Sequence, residues 1–119
     1  MVWVGYFPFD RGFERSFWLK NGGASHYADM KGILEDDHPA YWAEDSKRLK
    51  SLPEEFYSPV NFTDKMIEYI DSNKADGKPF FGYAAYTTPH WPLQAPQRYI
   101  DKYEGVYDGG YEVIRAKSI

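Results

Sequence analysis

Residues 79–96 read "PFFGYAAYTTPHWPLQAP", and how they are read decides the fold. The first nine, "PFFGYAAYT", are apolar on both alternations, rich in aromatics and bounded by prolines. Such a run predicts a strand buried on both faces, as in a parallel sheet covered by helices. His90 follows between Pro89 and Pro92, which restrict the backbone, and Trp91 is suited to wall a pocket. In open α/β sheets, ligands bind beyond the carboxyl ends of the strands. An imidazole held there can hydrogen-bond an anionic substrate or protonate a leaving group. On local grounds alone, the commoner use of such a histidine is to satisfy loop carbonyls.

Working outward, the clearest helix lies upstream. Asn61 or Thr63 offers a cap, and Phe62, Met66, Ile67, Tyr69 and Ile70 fall on one face at helical spacing. Asp64 is expected in its first turn and Lys74 near its end, with Gly77 as the stop. Downstream, a second helix is expected from Pro96 to about Gly105, carrying Tyr99, Ile100 and Tyr103 on its apolar face. A third amphipathic stretch, "YEVIRAKSI", closes the chain. Residues 1–34 are glycine- and aromatic-rich, with a turn at Arg11-Gly12 leading into a short apolar segment. Residues 35–61 are polar and punctuated by prolines, and predict a surface excursion with at most short strands. One strong strand and two complete helices are too few to cover a doubly buried strand, and no internal repeat supplies the rest. The expectation is therefore one piece of a larger α/β domain, with a single central buried strand, flanking helices and a long irregular N-terminal half.

The totals narrow the function. A chain of 119 residues suits one domain, and 43% hydrophobic with 27% charged residues fits a globular chain. Aromatics make up 19%, which suits cores, pocket walls and interfaces. A net charge of −4 with scattered basic residues argues against a nucleic-acid partner. The absence of cysteine removes disulfides, thiolate metal sites and a cysteine nucleophile. No apolar run approaches membrane-spanning length, so no membrane partner is expected. "MVWVGYFPFD" lacks the features of a signal peptide, which makes cytoplasmic residence the default.

Other candidates are weaker than His90. His26, in "GGASHYAD", is either a pocket residue or a turn residue, and His38 sits in the polar excursion. The spacings from His26 to His38 to His90, 12 and 52 residues, match no metal-ligand pattern. Asp36-Asp37 is a conceivable pair for a hard cation but is more commonly solvated charge. Asp10-Arg11 suggests a turn, and the sequon Asn61-Phe62-Thr63 matters only in a secreted protein. There is no Gly-rich phosphate loop.

Taken together, these motifs resemble the arylsulfatases of the sulfatase family. "PFFGYAAYTTPHWPLQAPQRYIDKYEGVYDGGYEVIR" is similar to the family's strand, its P-H-W-P-L-Q-A-P loop and the helix and Y-D-x-G turn that follow. "RGFERSFWLKNGGASHYAD" resembles its R-G-F-[DE]-x-[ST]-F segment and G-G-A-x-H-Y continuation, and "LPEEFYSPVNFTDKMIEYI" its L-P-E-x-F-Y-S stretch and next helix. The resemblance runs in order over about residues 8 to 115. It implies a partial α/β/α sandwich of the alkaline-phosphatase-like type, with residues 1–119 an incomplete piece of a catalytic domain that hydrolyses sulfuric esters. In that family a cysteine or serine in C/S-x-P-x-R becomes formylglycine, whose hydrate attacks sulfur beside a calcium ion held by aspartates and an asparagine. The family's P-H-W-P histidine contacts the sulfate and the leaving-group oxygen, a role that carries over to His90; Trp91 and His26 are its companions as substrate-binding candidates.

The departures are as informative. Ser51, in "SLPEE", lacks the arginine of the nucleophile motif. The family's G-K-W-H-L-G segment and its calcium ligands have no counterpart here, so the chain is expected to bind no metal. Three readings follow: an arylsulfatase fragment inactive in isolation, a fragment of a related phosphate- or phosphonate-ester hydrolase, and a non-catalytic aromatic-rich binding module. On the first, the unpaired strand is expected to make the isolated chain self-associate.

Overall fold

The computed structural model describes residues 6–33 and 39–118. A single 3-10 turn, Pro8–Arg11, opens the described chain and ends at Gly12, whose φ of 92° requires glycine. Three short strands follow: β1 (Phe17–Leu19), β2 (Trp42–Glu44) and β3 (Lys47–Arg48), paired antiparallel in the order β1-β2-β3. The register places Trp18 opposite Ala43 and Glu44 opposite Lys47. Then come helices α1 (Ser58–Asn73), α2 (Gln97–Ile100) and α3 (Gly110–Ser118), with a 3-10 turn Asp101–Tyr103 extending α2.

The core sits where the sequence reads as surface. Ala24, Ala40, Trp42, Leu52 and Phe56 form the buried cluster, with Phe17, Leu19, Met30, Leu49 and Phe62 packed against it. Three of its large members come from residues 35–61, the expected excursion. The reason lies in the rings: Trp42 meets Phe56 edge-on at 5.1 Å, and Phe17 lies 5.7 Å from Trp42 and 5.8 Å from Phe62. Each aromatic removes enough apolar area from water to outweigh the charged residues around it, which keep their heads in solvent.

Helix α1 starts at Ser58, earlier than Asn61 or Thr63, because Pro59 is preset for a first helical turn. The two expected caps lie inside it: Asn61 Nδ2 donates to the Tyr57 carbonyl (3.1 Å) and Thr63 Oγ1 to that of Pro59 (2.8 Å). Asp64 is thereby outside the first turn, and the helix ends at Asn73, before Gly77 at φ 68°. α1 is fastened to β2 by charge. Lys65 Nζ donates to Glu44 at 2.8 Å and to Glu68 at 3.0 Å, Tyr69 donates to Glu44 at 3.2 Å, and Arg15 bridges Glu44, Asp45 and Glu68. The Lys65 hydrogen bond holds the Glu44 carboxyl below the usual range, and Glu44 in turn raises Lys65. Burial, reinforced by Glu44, pushes the Tyr69 phenol far up. Of the helix expected over 96–105 only Gln97–Ile100 is α-helical, continued by the 3-10 turn Asp101–Tyr103, and Ile100 and Tyr103 stay exposed; the stretch expected near the C-terminus is helical.

The central strand is not formed by these residues. Residues 79–87 carry no ladder, and Phe80, Phe81 and Tyr83 are 67%, 78% and 68% exposed. An extended run satisfies its backbone only beside another strand, and no described segment offers one. The run instead lies along α1: Tyr86 bonds Thr63 through its hydroxyl (2.8 Å) and meets Phe62 edge-on, and Gly82 lies close to Met66. The Cα radius of gyration, 17.9 Å, exceeds the roughly 13–14 Å of a closed domain of this length, which agrees with so much uncovered apolar surface.

Candidate functional site

Three segments converge around His90. The first is the turn at 22–27, the second the start of α1 and the third the loop 87–96. The loop holds itself first: the His90 amide donates to the Thr87 carbonyl at 3.0 Å, and the Thr88–Pro89 and Trp91–Pro92 peptides are cis. His90 is exposed, and its Nδ1 lies 2.8 Å from the Trp91 carbonyl. A carbonyl only accepts, so Nδ1 carries the proton in that bond. Nε2 has no partner among the described residues. Trp91 is 57% exposed beside it. Gly23 borders the ring: a Cβ there would overlap Ile33 and come to 3.8 Å from His90 Nδ1.

Gln94 stitches the loop to the first segment. Its Oε1 accepts from the His26 amide (2.8 Å) and from Ser25 Oγ (3.3 Å), while its own carbonyl accepts from Tyr57 Oη (3.3 Å). Burial, with Tyr27 and Tyr99 nearby, raises the Tyr57 phenol above its ordinary value and keeps it a donor. His26 itself is only 2% exposed. Its carbonyl accepts from the Ser58 amide at 2.9 Å, which satisfies one of the free donors at the start of α1. Its ring spans Ser58 Oγ (3.0 Å) and Thr87 Oγ1 (3.3 Å) on Nδ1 and the His90 carbonyl (3.4 Å) on Nε2.

The structure therefore brings His26, His90 and Trp91 into one region. His38 and Asp36-Asp37 lie outside the described residues. Asp10 accepts from the Phe7 amide at 3.2 Å within the first turn, as its local sequence suggests. Sequence reasoning misses Thr87, Gln94, Ser58 and Tyr57. Their only signal is position: two flank the histidine inside a proline-bounded loop, and two mark a helix start. Beside them, Tyr57, Thr63, Asp64, Tyr86 and Tyr99 line an open aromatic cleft of about 420 Å³.

The calcium implied by the family resemblance finds no fitting set of ligands among the described residues. Among the described residues no three His, Asp or Glu side chains come together as a metal site, and the sequence has no cysteine. Among them, too, no helix is long and apolar enough to cross a membrane.

Comparison with known proteins identifies the family. The sulfatase family model matches residues 5–115. The chain belongs to the sulfatase family, whose fold is alkaline-phosphatase-like α/β. It is 39% identical to an uncharacterized sulfatase of Schizosaccharomyces pombe over 92% of this chain and 20% of that protein. It is likewise 39% identical to an arylsulfatase of Klebsiella aerogenes, over 95% of this chain and 24% of the relative. Arylsulfatase J of Mus musculus is 30% identical over 83% of this chain and 16% of its own length. The chain thus spans at most about a quarter of the curated relatives it matches.

Proposed function

We propose that these residues form part of the catalytic domain of a sulfuric-ester hydrolase of the arylsulfatase type, and that His90 serves the leaving group. The observation that carries the reading is the state of the imidazole. Nδ1–H is committed to the Trp91 carbonyl, so the ring is held by one nitrogen and works through the other. Protonated at Nε2, it donates that proton to the ester oxygen as the sulfur–oxygen bond breaks, and the ring returns to its neutral form. Before cleavage the same N–H hydrogen-bonds the anionic ester, which is the charge-assisted kind of contact. In this reading Trp91, beside it and more than half exposed, covers an apolar part of the substrate.

The attacking group and the calcium belong to no residue described here, so no step is assigned to them. The 119-residue chain alone is accordingly expected to hydrolyse no aryl sulfate above background, with or without calcium. The test of substrate class is a chimera in which residues 1–119 replace the matching segment of the Klebsiella aerogenes relative. Aryl sulfates are expected to be turned over ahead of phosphate diesters and phosphonate esters. A chimera that folds yet prefers phosphate diesters would move the assignment to that neighbouring chemistry.

A further inference from the structure

We infer that His26 is a positioning residue for His90, acting through the His90 backbone rather than on substrate. The inference rests on the reading that His90 contacts the ester. His26 leaves no polar atom open to solvent: it is 2% exposed, and all four of its polar groups are engaged. The His90 carbonyl only accepts, so the 3.4 Å contact requires a proton on His26 Nε2. Nδ1 then presents its one lone pair, which accepts from the nearer hydroxyl of Ser58 at 3.0 Å, with the Thr87 hydroxyl at 3.3 Å as the alternative donor. The two histidines thus hold opposite tautomers, His26 protonated at Nε2 and His90 at Nδ1.

The consequence is a peptide gripped from both sides. The His90 N–H is held by the Thr87 carbonyl, and the His90 C=O is held by the His26 ring. Thr87 also reaches the same His26 ring, so the two grips share one anchor. That anchor is tied to α1 through Ser58 and to the far end of the loop through Gln94. His90 thereby takes its direction from a buried group 64 residues away. A misplacement on the order of 1 Å at a reacting group can cost about a hundredfold in rate, so such an anchor has a kinetic reason to exist.

Two isosteres separate this role from general packing. Gln places an N–H₂ where Nε2 sits and keeps the link to His90; Asn reaches only the Nδ1 side and keeps Ser58 and Thr87. In the 119-residue chain, held at low concentration, hydrogen exchange at the His90 amide is expected to be about tenfold faster in His26→Asn, the loss of a bond to a buried group, and nearly unchanged in His26→Gln. In the chimera, His26→Asn should lower kcat with little change in KM, His26→Gln should restore it, and His26→Asn should cost nothing further in a His90→Ala background. Unchanged exchange in His26→Asn, or equal losses in Asn and Gln, would overturn the inference whatever the activity. Should His26→Asn fail to fold, Thr87→Val tests the same anchor, and an unaltered His90 exchange rate in it counts against the proposal. Full activity of His90→Ala would instead overturn the functional reading while leaving the exchange result standing.

Discussion

Replacing one phenylalanine in each of two places decides where the core lies. Phe56 is 2% exposed, meets Trp42 edge-on at 5.1 Å and lies 6.2 Å from Phe17. Phe56→Ala removes the burial of a whole ring and leaves a cavity between partners that cannot close it, a change that costs about 3–5 kcal/mol. Part of that is the ring pairing itself, at about 0.5–1.5 kcal/mol. Phe81 is 78% exposed, with Phe13 at 6.1 Å as its ring neighbour. Phe81→Ala should therefore fall within about 0.5 kcal/mol of the parent, as exposed substitutions do. Urea unfolding followed by tryptophan fluorescence reads both. Against a total stability on the order of 5–15 kcal/mol, the first change should move the midpoint far and the second hardly at all. Equal losses at the two sites, or a larger one at Phe81, would refute the packing and restore the buried strand within this chain.

Four further outcomes follow from the structure. Glu44 is held below its ordinary value by Lys65, so its contribution is present above pH 4.5 or so and is lost as pH falls through the lowered value; Glu44→Gln should flatten that acid limb in urea titrations. Lys65 and Tyr69 are both raised, so their stabilisation is full below about pH 10 and is lost above it, and a Tyr69→Phe variant should lose part of that alkaline limb. Gln94→Leu leaves the His26 amide without its acceptor and should speed exchange there about five- to hundredfold, whereas Gln94→Glu keeps an acceptor and should not. The apolar edge at 80–83 should make the parent chain associate in sedimentation velocity as concentration rises, and a Phe81→Asp, Tyr83→Lys double variant should stay monomeric.

The helices and the loop were legible because their signals are local. Helical spacing in Phe62, Met66 and Ile70, and the proline at 96, place α1 and α2 to within a few residues, while Pro59 starts α1 ahead of the expected cap at Asn61 or Thr63. The core was not, because Trp42 and Phe56 stand among charges and prolines, and no period links them to Phe17. Their association depends on chain reversals between β1 and β2 that no short window records. Residues 79–87 show the opposite failure. Their pattern records an environment with strand neighbours, and nothing in the described chain supplies one. At the site, His90 and Trp91 stood out through their motif. Thr87, Gln94 and Ser58 did not, since small polar residues take on a role only once folding sets them against His26.

The assignment of His90 as the proton donor is tested most directly by leaving-group dependence. In the folded chimera, kcat for a series of aryl sulfates would be compared between the parent and His90→Ala. A nitrophenolate departs without help, so its sulfate should lose little. An unsubstituted phenolate needs the proton, so phenyl sulfate should lose about 10²–10⁴-fold, the usual worth of general acid catalysis. A uniform loss across the series, or no loss at all, would contradict the role given to His90.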